Sequence, residues 1–249
     1  MSLVQADTGW VAHYPADPNK FQFDDEVSSV FPGMARRSIP GYVEAHRLHA
    51  SMLLPILDAR AGCTIVDIGA SRGHFIKEVC NQLQIDHVTG SARLKCVAVD
   101  QSPHMLRRLK TEMPWVTTLE GDASCLEDLP APADIVCLFY VLQFIQSDTA
   151  KLKVLQWAHR NLRNGGVLLL GQKEKVLGDY SFMFSAEYCK FRLRNGYSLE
   201  EIAAKTEALK NSMWPSGADW LEDLCYRAGF TDYALTTKWL QFSTSMCIK

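Results

Sequence analysis

The sequence predicts an α/β fold: a doubly wound, Rossmann-like and mainly parallel sheet with an antiparallel C-terminal edge strand and a helical insertion. Three observations predict it. Short apolar, β-branched runs alternate with segments of helical period from residue 63 onward. In "TIVDIGASRGHFIKEV", residues 64–79, a strand enters a helix through a glycine turn, as at the start of a βαβ unit. Further on, "LRNGGVLLL" gives a helix end, a turn and another buried strand.

The part of the chain before the sheet, residues 1–60, is predicted to be an N-terminal helical entry segment or lid. We expect residues 1–25 to be irregular because they contain two prolines and no apolar period. A short helix is expected at 23–37 and a second one at 43–57, separated by the helix-breaking pair Pro40-Gly41.

Residues 61–249 are predicted to form the main domain. We expect strands at 63–68, 95–99, 116–119, 133–139 and 166–171, and helices near 73–84, 103–111, 149–162 and 219–228. The stretch 173–217 interrupts this alternation. It is rich in aromatic and charged residues and is predicted to be a helical insertion over the site, with an ordinary surface excursion as the alternative. The segments "DYALTTKW" and "QFSTSMCI" are expected to pair antiparallel at the sheet edge.

Bulk composition excludes several classes of protein. The 249 residues are 47% hydrophobic and 22% charged, which is typical of a globular domain, and the formal net charge of -2 gives no general attraction to nucleic acid. No apolar run is long enough to cross a membrane, and no signal peptide is recognised, so a cytoplasmic location is expected. The eight cysteines form no C-x-x-C pair and no metal-ligand pattern, which predicts free thiols and no metal.

The glycine turn indicates the kind of ligand. Its pattern has Asp67 before Gly69, and Gly73 four residues later, which matches neither a dinucleotide motif nor a P-loop. An acid at that place repels a pyrophosphate and attracts an ammonium, whereas the helix start suits a carboxylate. S-adenosyl-L-methionine (SAM) carries both groups. A structural glycine turn of any α/β protein stays as the alternative.

Acidic residues follow the next two predicted strands. Asp100 ends "KCVAVD", where a carboxylate offers two acceptor oxygens to the hydroxyls of a ribose. Asp122 in "LEGDAS" is placed to accept from an adenine amino group, or else is a turn aspartate. Together with the glycine turn, this order resembles a class I SAM-dependent methyltransferase.

Longer segments resemble the bacterial carboxy-S-adenosyl-L-methionine synthases. They are "FQFDDEVSSVFPGMARRSIPGY", "LQFIQ" and "RLRNGYSLEEIAAKTEALKNSM", and the similarity runs from about residue 21 to the C-terminus. The resemblance implies a methyltransferase fold. It also implies an enzyme that moves a carboxylate derived from prephenate onto the methyl carbon of SAM, for modification of the wobble uridine in tRNA.

The resemblance also implies cofactor contacts at the matching positions, which are Tyr42, Gly69, Ala70, Ser71, Asp100, Gln101, Asp122 and Ala123. Two matches fail. The family's carboxylate-holding arginine aligns with Thr206, and an asparagine of the fourth strand aligns with Phe139, which we expect to line the cofactor site. A threonine cannot grip a carboxylate as a guanidinium does. Both changes predict a less polar pocket, and therefore ordinary methyl transfer to a small-molecule acceptor by a divergent family member.

Two other functions stay open. The chain is a true carboxy-SAM synthase if Lys205 or Arg194 replaces the arginine, or it is a non-catalytic SAM-binding module. A homodimer is expected, with no membrane partner. Weak candidates for a general base are His46, His74, Glu187 and Tyr197. Aromatic residues expected either to line the acceptor pocket or to pack a helix face are Tyr180, Phe182, Phe184, Tyr188 and Phe191.

Overall fold

The computed structural model describes residues 23–59 and 62–249, and it contains one seven-stranded sheet. The strands are β1 Cys63–Ile68, β2 Leu94–Asp100, β3 Thr117–Glu120, β4 Ala133–Phe139, β5 Leu162–Lys173, β6 Asp232–Trp239 and β7 Phe242–Ile248. Their order across the sheet is β3-β2-β1-β4-β5-β7-β6. The predicted irregular region 1–25 lies almost wholly outside the described residues.

Strand directions confirm the predicted fold class. The first five strands pair in parallel, whereas β7 is antiparallel to both β5 and β6. All seven residues of β4 are buried, because the strand is covered on both faces. The order reverses between β1 and β4, so the carboxyl ends of these two strands flank the crevice where open α/β sheets bind ligands.

The described helices are α1 Asp25–Ser38, α2 Tyr42–Met52, α3 Leu54–Ala59, α4 His74–Leu83, α5 Pro103–Glu112, α6 Asp148–Asn161, α7 Ser181–Arg194, α8 Leu199–Leu209 and α9 Ala218–Ala228. The single helix predicted at 43–57 is two helices, interrupted at Leu53. Pro55 accounts for the break, since it has no N–H for the carbonyl four residues earlier and its ring crowds that carbonyl.

The stretch between β5 and α9 contains the predicted helical insertion, with α7 and α8. Ser198 and Glu201 form a reciprocal capping box at the start of α8. The exit of the insertion is fastened to α6, because the buried amine of Lys151 donates to the Trp214 carbonyl (2.8 Å) and to Ser216 Oγ (2.9 Å). The amide of Trp214 also donates to the Gln143 carbonyl at 2.6 Å. These bonds hold the insertion over the carboxyl edge of the sheet.

Two apolar layers cover the sheet. One contains Phe75 of α4 and Leu109 of α5, and the other contains Leu155 of α6 and Leu224 of α9. All eight cysteines are free thiols, and six of them are buried. No helix in the described part of the chain is long and apolar enough to cross a membrane.

Candidate functional site

A pocket of about 380 Å³ opens at the carboxyl ends of β1, β2 and β4, which is a normal volume for a small-molecule site. Its roof comes from α1, α2 and the insertion. Of the cofactor contacts and candidate bases predicted from the sequence, those that line it are Tyr42, His46, Asp67, Gly69, Ala70, Ser71, His74, Asp100, Gln101, Asp122, Ala123 and Phe139. The carboxyl ends of β1, β2 and β4 and the turn at Gly69 therefore lie together, as expected.

Position 69 needs a glycine because of its backbone conformation and because the adjacent Val141 leaves no space for a side chain. Its φ is +68°, and a Cβ at this position would lie 2.4 Å from Cγ2 of Val141. The nearby Ser71 also has a positive φ of 52°, and its amide donates to Asp100 Oδ2 at 2.8 Å. The turn and the end of β2 are thus fixed to each other.

Gly73 has a different role from the one expected, because it is not among the described residues that line the pocket. It caps the start of α4 with φ +70°, and a Cβ there would meet Met113 Cε at 2.4 Å. The sequence motif combined two separate demands for glycine. Gly69 lies at the pocket floor, whereas Gly73 permits close packing between α4 and α5.

Asp100 has the geometry of a diol acceptor. Its Oδ1 accepts from the Ser102 amide at 2.9 Å, and its Oδ2 accepts from the Ser71 amide. Each carboxylate oxygen has a second lone pair, so two hydroxyls can still bind. Burial raises the pKa of Asp100, and the backbone hydrogen bonds work against that rise.

Asp122 is a turn aspartate, which is one of the two roles considered for it. Its Oδ1 accepts from both the amide and the hydroxyl of Ser124 at 2.7 Å, which caps the short 3₁₀ turn Ala123–Cys125. The residue is exposed at the pocket rim, where its second oxygen is available to a ligand amino group.

Asp67 is the buried acid of the site, with 4% of its surface exposed. Burial, followed by the negative charge of Asp100, raises the pKa of Asp67 to about 8. The carboxyl group is therefore mostly protonated at pH 7. A cationic ligand group would favour its ionised form, which suits the expected ammonium.

Aromatic rings form the wall beyond Asp67. The rings of His46 and Phe139 are 4.6 Å apart, His74 stacks on Tyr42 at 5.1 Å, and Tyr140 lies 5.8 Å from Tyr42. A wall of this kind favours the cationic centre of a ligand through the ring faces.

Both histidines in this wall are uncharged. The Nδ1 atom of His46 lies 2.6 Å from the Tyr42 carbonyl, which can only accept, so Nδ1 carries the proton and Nε2 has the lone pair. Desolvation lowers the pKa of His46 to about 3 and that of His74 to about 4. Nε2 of His74 is buried and has no hydrogen-bond partner in the described structure. Both rings are weak bases that can still accept a ligand hydrogen bond.

The other two candidate bases lie outside the pocket described here. Glu187 is on the solvent side of α7, where it pairs with Arg194 at 2.6 Å and with Lys190 at 3.8 Å. Tyr197 is buried behind the wall, with its hydroxyl 3.1 Å from Ser38 Oγ. The structure thus places Glu187 away from the pocket, and Arg194 is exposed and paired with Glu187.

The insertion helix α8 presents a different residue from the one aligned with the family's arginine. Thr206 is exposed, and its hydroxyl donates to the Ile202 carbonyl at 2.7 Å. Lys205 lines the pocket, with 7% of its surface exposed. The expectation that the insertion contributes a less polar wall is therefore wrong, because α8 supplies an amine.

Sequence reasoning missed other lining residues. Lys173 lines the pocket at the carboxyl end of β5, and Ser38 lines it at the end of α1. A signal was present for Lys173, since it is a basic residue at the same edge of the sheet as Asp67 and Asp100. Of the five aromatic residues predicted in the insertion, Tyr188 of α7 lines the pocket, whereas Tyr180 and Phe182 are 57% and 69% exposed.

The chain is similar in sequence to a known protein family and to two named proteins. A family profile described as a methyltransferase domain matches residues 65–166. The carboxy-S-adenosyl-L-methionine synthase of Chromohalobacter salexigens is 30% identical over 236 residues, which cover 92% of this chain and 83% of that protein. The protein of the same name from Campylobacter jejuni is 30% identical over 242 residues, which cover 95% and 97%.

Solved structures share the fold at lower identity. Human N-acetylserotonin methyltransferase in complex with SAM superposes with a TM-score of 0.52 at 15% identity, over 92% of this chain and 60% of that chain. An O-methyltransferase family 2 protein from Planctomyces limnophilus, in complex with apigenin, gives a TM-score of 0.58 at 17% identity, over 90% and 61%. The chain thus spans about three fifths of these two longer proteins, and the likeness is one of fold alone.

Proposed function

The chain belongs to the carboxy-S-adenosyl-L-methionine synthase family of the class I SAM-dependent methyltransferases, and from the lining of its pocket we propose that it transfers a methyl group from SAM to a small-molecule acceptor. The observation that carries the proposal is the meeting of Gly69, Asp100 and Asp122 at one end of the pocket, with the aromatic wall at the other. The first end suits an adenosine. The second suits a sulfonium and an apolar acceptor.

The protein contributes position and exclusion of water to this reaction. SAM supplies an electrophilic methyl group, so a correctly oriented acceptor needs little covalent assistance. Tyr42, Phe139 and Tyr140 are each 8% exposed and give the reaction a dry wall. Nε2 of His46 can orient an acceptor hydroxyl, but its low basicity suits an acceptor that is already deprotonated or loses its proton elsewhere.

A screen with isotopically labelled SAM tests the proposal. The protein would be incubated with trideuteromethyl-SAM and a metabolite extract, and products would be identified by mass spectrometry. We expect a labelled small molecule whose formation is lost in Asp100→Asn and kept in Glu187→Gln, a surface change. Labelled S-adenosyl compounds without any labelled acceptor, in extracts of varied origin, would contradict methyl transfer.

One observation favours a second function, the synthesis of carboxy-SAM. Lys205 and Lys173 both line the pocket, so positive charge is available to a carboxylate although Thr206 is exposed. Incubation with SAM and prephenate, followed by mass spectrometry, tests this alternative. A product heavier than SAM by one carboxylate would establish it, and unchanged SAM would eliminate it.

We further propose a lid over the pocket, a homodimeric state and a cytoplasmic location for this enzyme. Residues 23–59, the described part of the predicted segment 1–60, act as the lid, which is supported by Phe31 and Met34 of α1, since both line the pocket. A second copy of the chain is the proposed partner, supported by Phe182 and Met183, which are 69% and 58% exposed on the insertion. A cytoplasmic enzyme without direct nucleic-acid binding fits the eight free thiols and the net charge. Sedimentation of the purified chain tests the dimer.

A further inference from the structure

We propose that the hydroxyl group of Tyr140 binds the acceptor oxygen in the methyl transfer, and that the acceptor is an aromatic hydroxyl compound that reacts as its phenolate. The inference rests on the proposed function and names the substrate class for the same pocket. Tyr140 directly follows Phe139, the last residue of β4, and its side chain lines the pocket.

The backbone of Tyr140 has an unusual conformation. Its φ is +61°, in the left-handed region that a bulky side chain seldom adopts. The Tyr140 amide donates to the Gly171 carbonyl of β5 at 2.6 Å, which fixes the turn at the carboxyl edge of the sheet. Residues held in such conformations cluster at active sites. The position therefore calls for a role beyond filling space.

The ring of Tyr140 is part of the aromatic wall. Its centre lies 5.8 Å from that of Tyr42 and 6.4 Å from that of Phe242, whose ring stands edge-on to it. Gly171 leaves room for this wall, because a Cβ there would lie only 2.8 Å from Cδ1 of Phe139. A planar aromatic substrate can pack against such rings while its oxygen points to the hydroxyl.

The hydroxyl of Tyr140 is free to bind a ligand. Within residues 23–59 and 62–249 it makes no hydrogen bond. It is also not one of the enclosed polar atoms, so it is open to the cavity although the residue is only 8% exposed. A tyrosine hydroxyl at so buried a position normally has a partner. An oxygen atom of the acceptor would supply it.

Proton states on this wall favour a particular acceptor. Burial raises the pKa of Tyr140, so its hydroxyl stays protonated and donates. Burial, followed by the nearby Tyr140 and Asp67 oxygens, raises the pKa of Tyr42 as well. Desolvation lowers the pKa of His46 to about 3 and that of His74 to about 4, so both are weak bases. An aliphatic alcohol would find no strong base among these groups. A phenol ionises more readily, and donation from Tyr140 favours its anion.

The reaction needs no further reactant. The phenol loses its proton to solvent, and the phenolate oxygen forms a bond to the methyl carbon of SAM. The bond between that carbon and sulfur breaks, and its electron pair stays on sulfur. The products are an aryl methyl ether and S-adenosylhomocysteine. Tyr140 contributes by holding the oxygen in line with the methyl group.

Binding of 4-nitrophenol to the full chain loaded with S-adenosylhomocysteine tests this role, because the phenolate of this probe has a visible absorption band that the neutral phenol lacks. We expect the bound probe to show the phenolate band at a pH at which the free probe is mostly protonated. Tyr140→Phe keeps the ring and removes the donor. It should weaken phenolate binding roughly ten- to a hundredfold, since a hydrogen bond to a charged group is lost.

Two comparisons separate this effect from a structural one. Tyr140→Phe should keep the wild-type affinity for SAM and a native circular dichroism spectrum. Tyr180→Phe removes a hydroxyl from a residue that is 57% exposed, and it should bind 4-nitrophenol like the wild type.

Acceptors of similar shape test the substrate class. The protein would be incubated with trideuteromethyl-SAM and a mixture of 4-nitrophenol, benzyl alcohol, benzylamine and benzoate, and the products would be identified by mass spectrometry. We expect the label on 4-nitrophenol alone. In Tyr140→Phe the KM for 4-nitrophenol should rise by a larger factor than kcat falls.

Any of four results would overturn the proposal. They are no binding of 4-nitrophenol by the wild type, equal affinity for it in Tyr140→Phe, a weaker affinity of Tyr140→Phe for SAM, or label on one of the other three acceptors. The proposed function stands in each case if SAM binds to the wild type and the extract screen gives a labelled small molecule. If that screen fails, methyl transfer itself is excluded.

Discussion

Replacing Asp67 by asparagine should change how the stability of this protein depends on pH. The Asp67 carboxyl group is buried next to Asp100, and its pKa is raised from an ordinary 3.8 to about 8 in the folded chain. The folded state thus binds a proton that the unfolded state releases above pH 4. By linkage, this group makes the free energy of unfolding fall as the pH rises from about 4 to about 8.

The size of this effect follows from the two pKa values. Each pH unit within the window lowers the free energy of unfolding by about 1.4 kcal/mol, so the loss between pH 5 and pH 7 is on the order of 3 kcal/mol. Asparagine has nearly the same shape and no charge to lose. The stability of Asp67→Asn relative to the wild type should therefore increase by about 3 kcal/mol over those two pH units.

Urea unfolding followed by circular dichroism at pH 5 and pH 7 measures this difference. Asp58→Asn is the matched control, because the Asp58 side chain is 62% exposed at the surface and pairs with Arg93. The control should follow the wild-type pH dependence. If Asp67→Asn also follows it, Asp67 is not held in its protonated form and our description of the buried acid is refuted.

Three further changes have expected outcomes. Gly69→Ala should lower stability by about 1–3 kcal/mol more than Gly62→Ala, since both glycines have a positive φ but only the first would place a Cβ against Val141; equal melting temperatures would contradict this. The wild type should lose stability as the pH falls from 6.5 to 4.5, because the folded-state pKa of His46 is about 3 and the native state binds fewer protons there than the unfolded state. His46→Phe should reduce that loss by roughly 2–3 kcal/mol. The same decrease in the free energy of urea unfolding for variant and wild type would contradict this. Glu187→Gln should leave the turnover measured by mass spectrometry unchanged. A large loss of turnover would show that Glu187 takes part in the reaction.

The strand-end residues were predictable because their positions follow from the fold alone. Parallel strands place their carboxyl ends at one edge, so Asp67, Asp100 and Asp122 had to meet once the alternation of strands and helices was recognised. The glycine turn was only partly predictable. The contact between Gly69 and Val141 depends on a loop that follows β4, about 70 residues further along the chain (141 − 69), and no local pattern reveals it.

The insertion was the least predictable part of the site. Neighbouring residues on a helix point about 100° apart, so an alignment placed on Thr206 instead of Lys205 exchanges a pocket residue for an exposed one. Packing of α8 against α1, through residues such as Ile202 and Met34, decides which side faces inward. That packing involves segments distant in sequence, and so the lysine wall emerged only from the structure.

The most direct measurement of the central claim is the affinity for SAM of the wild type and of Asp100→Asn, determined by calorimetry at one pH. Our account places the ribose hydroxyls on the Asp100 carboxylate, and a hydrogen bond to a charged group contributes about 1.5–3 kcal/mol. We predict binding by the wild type and an affinity roughly ten- to a hundredfold weaker in the variant, which should keep a native circular dichroism spectrum. Equal affinities in two folded proteins would contradict the account.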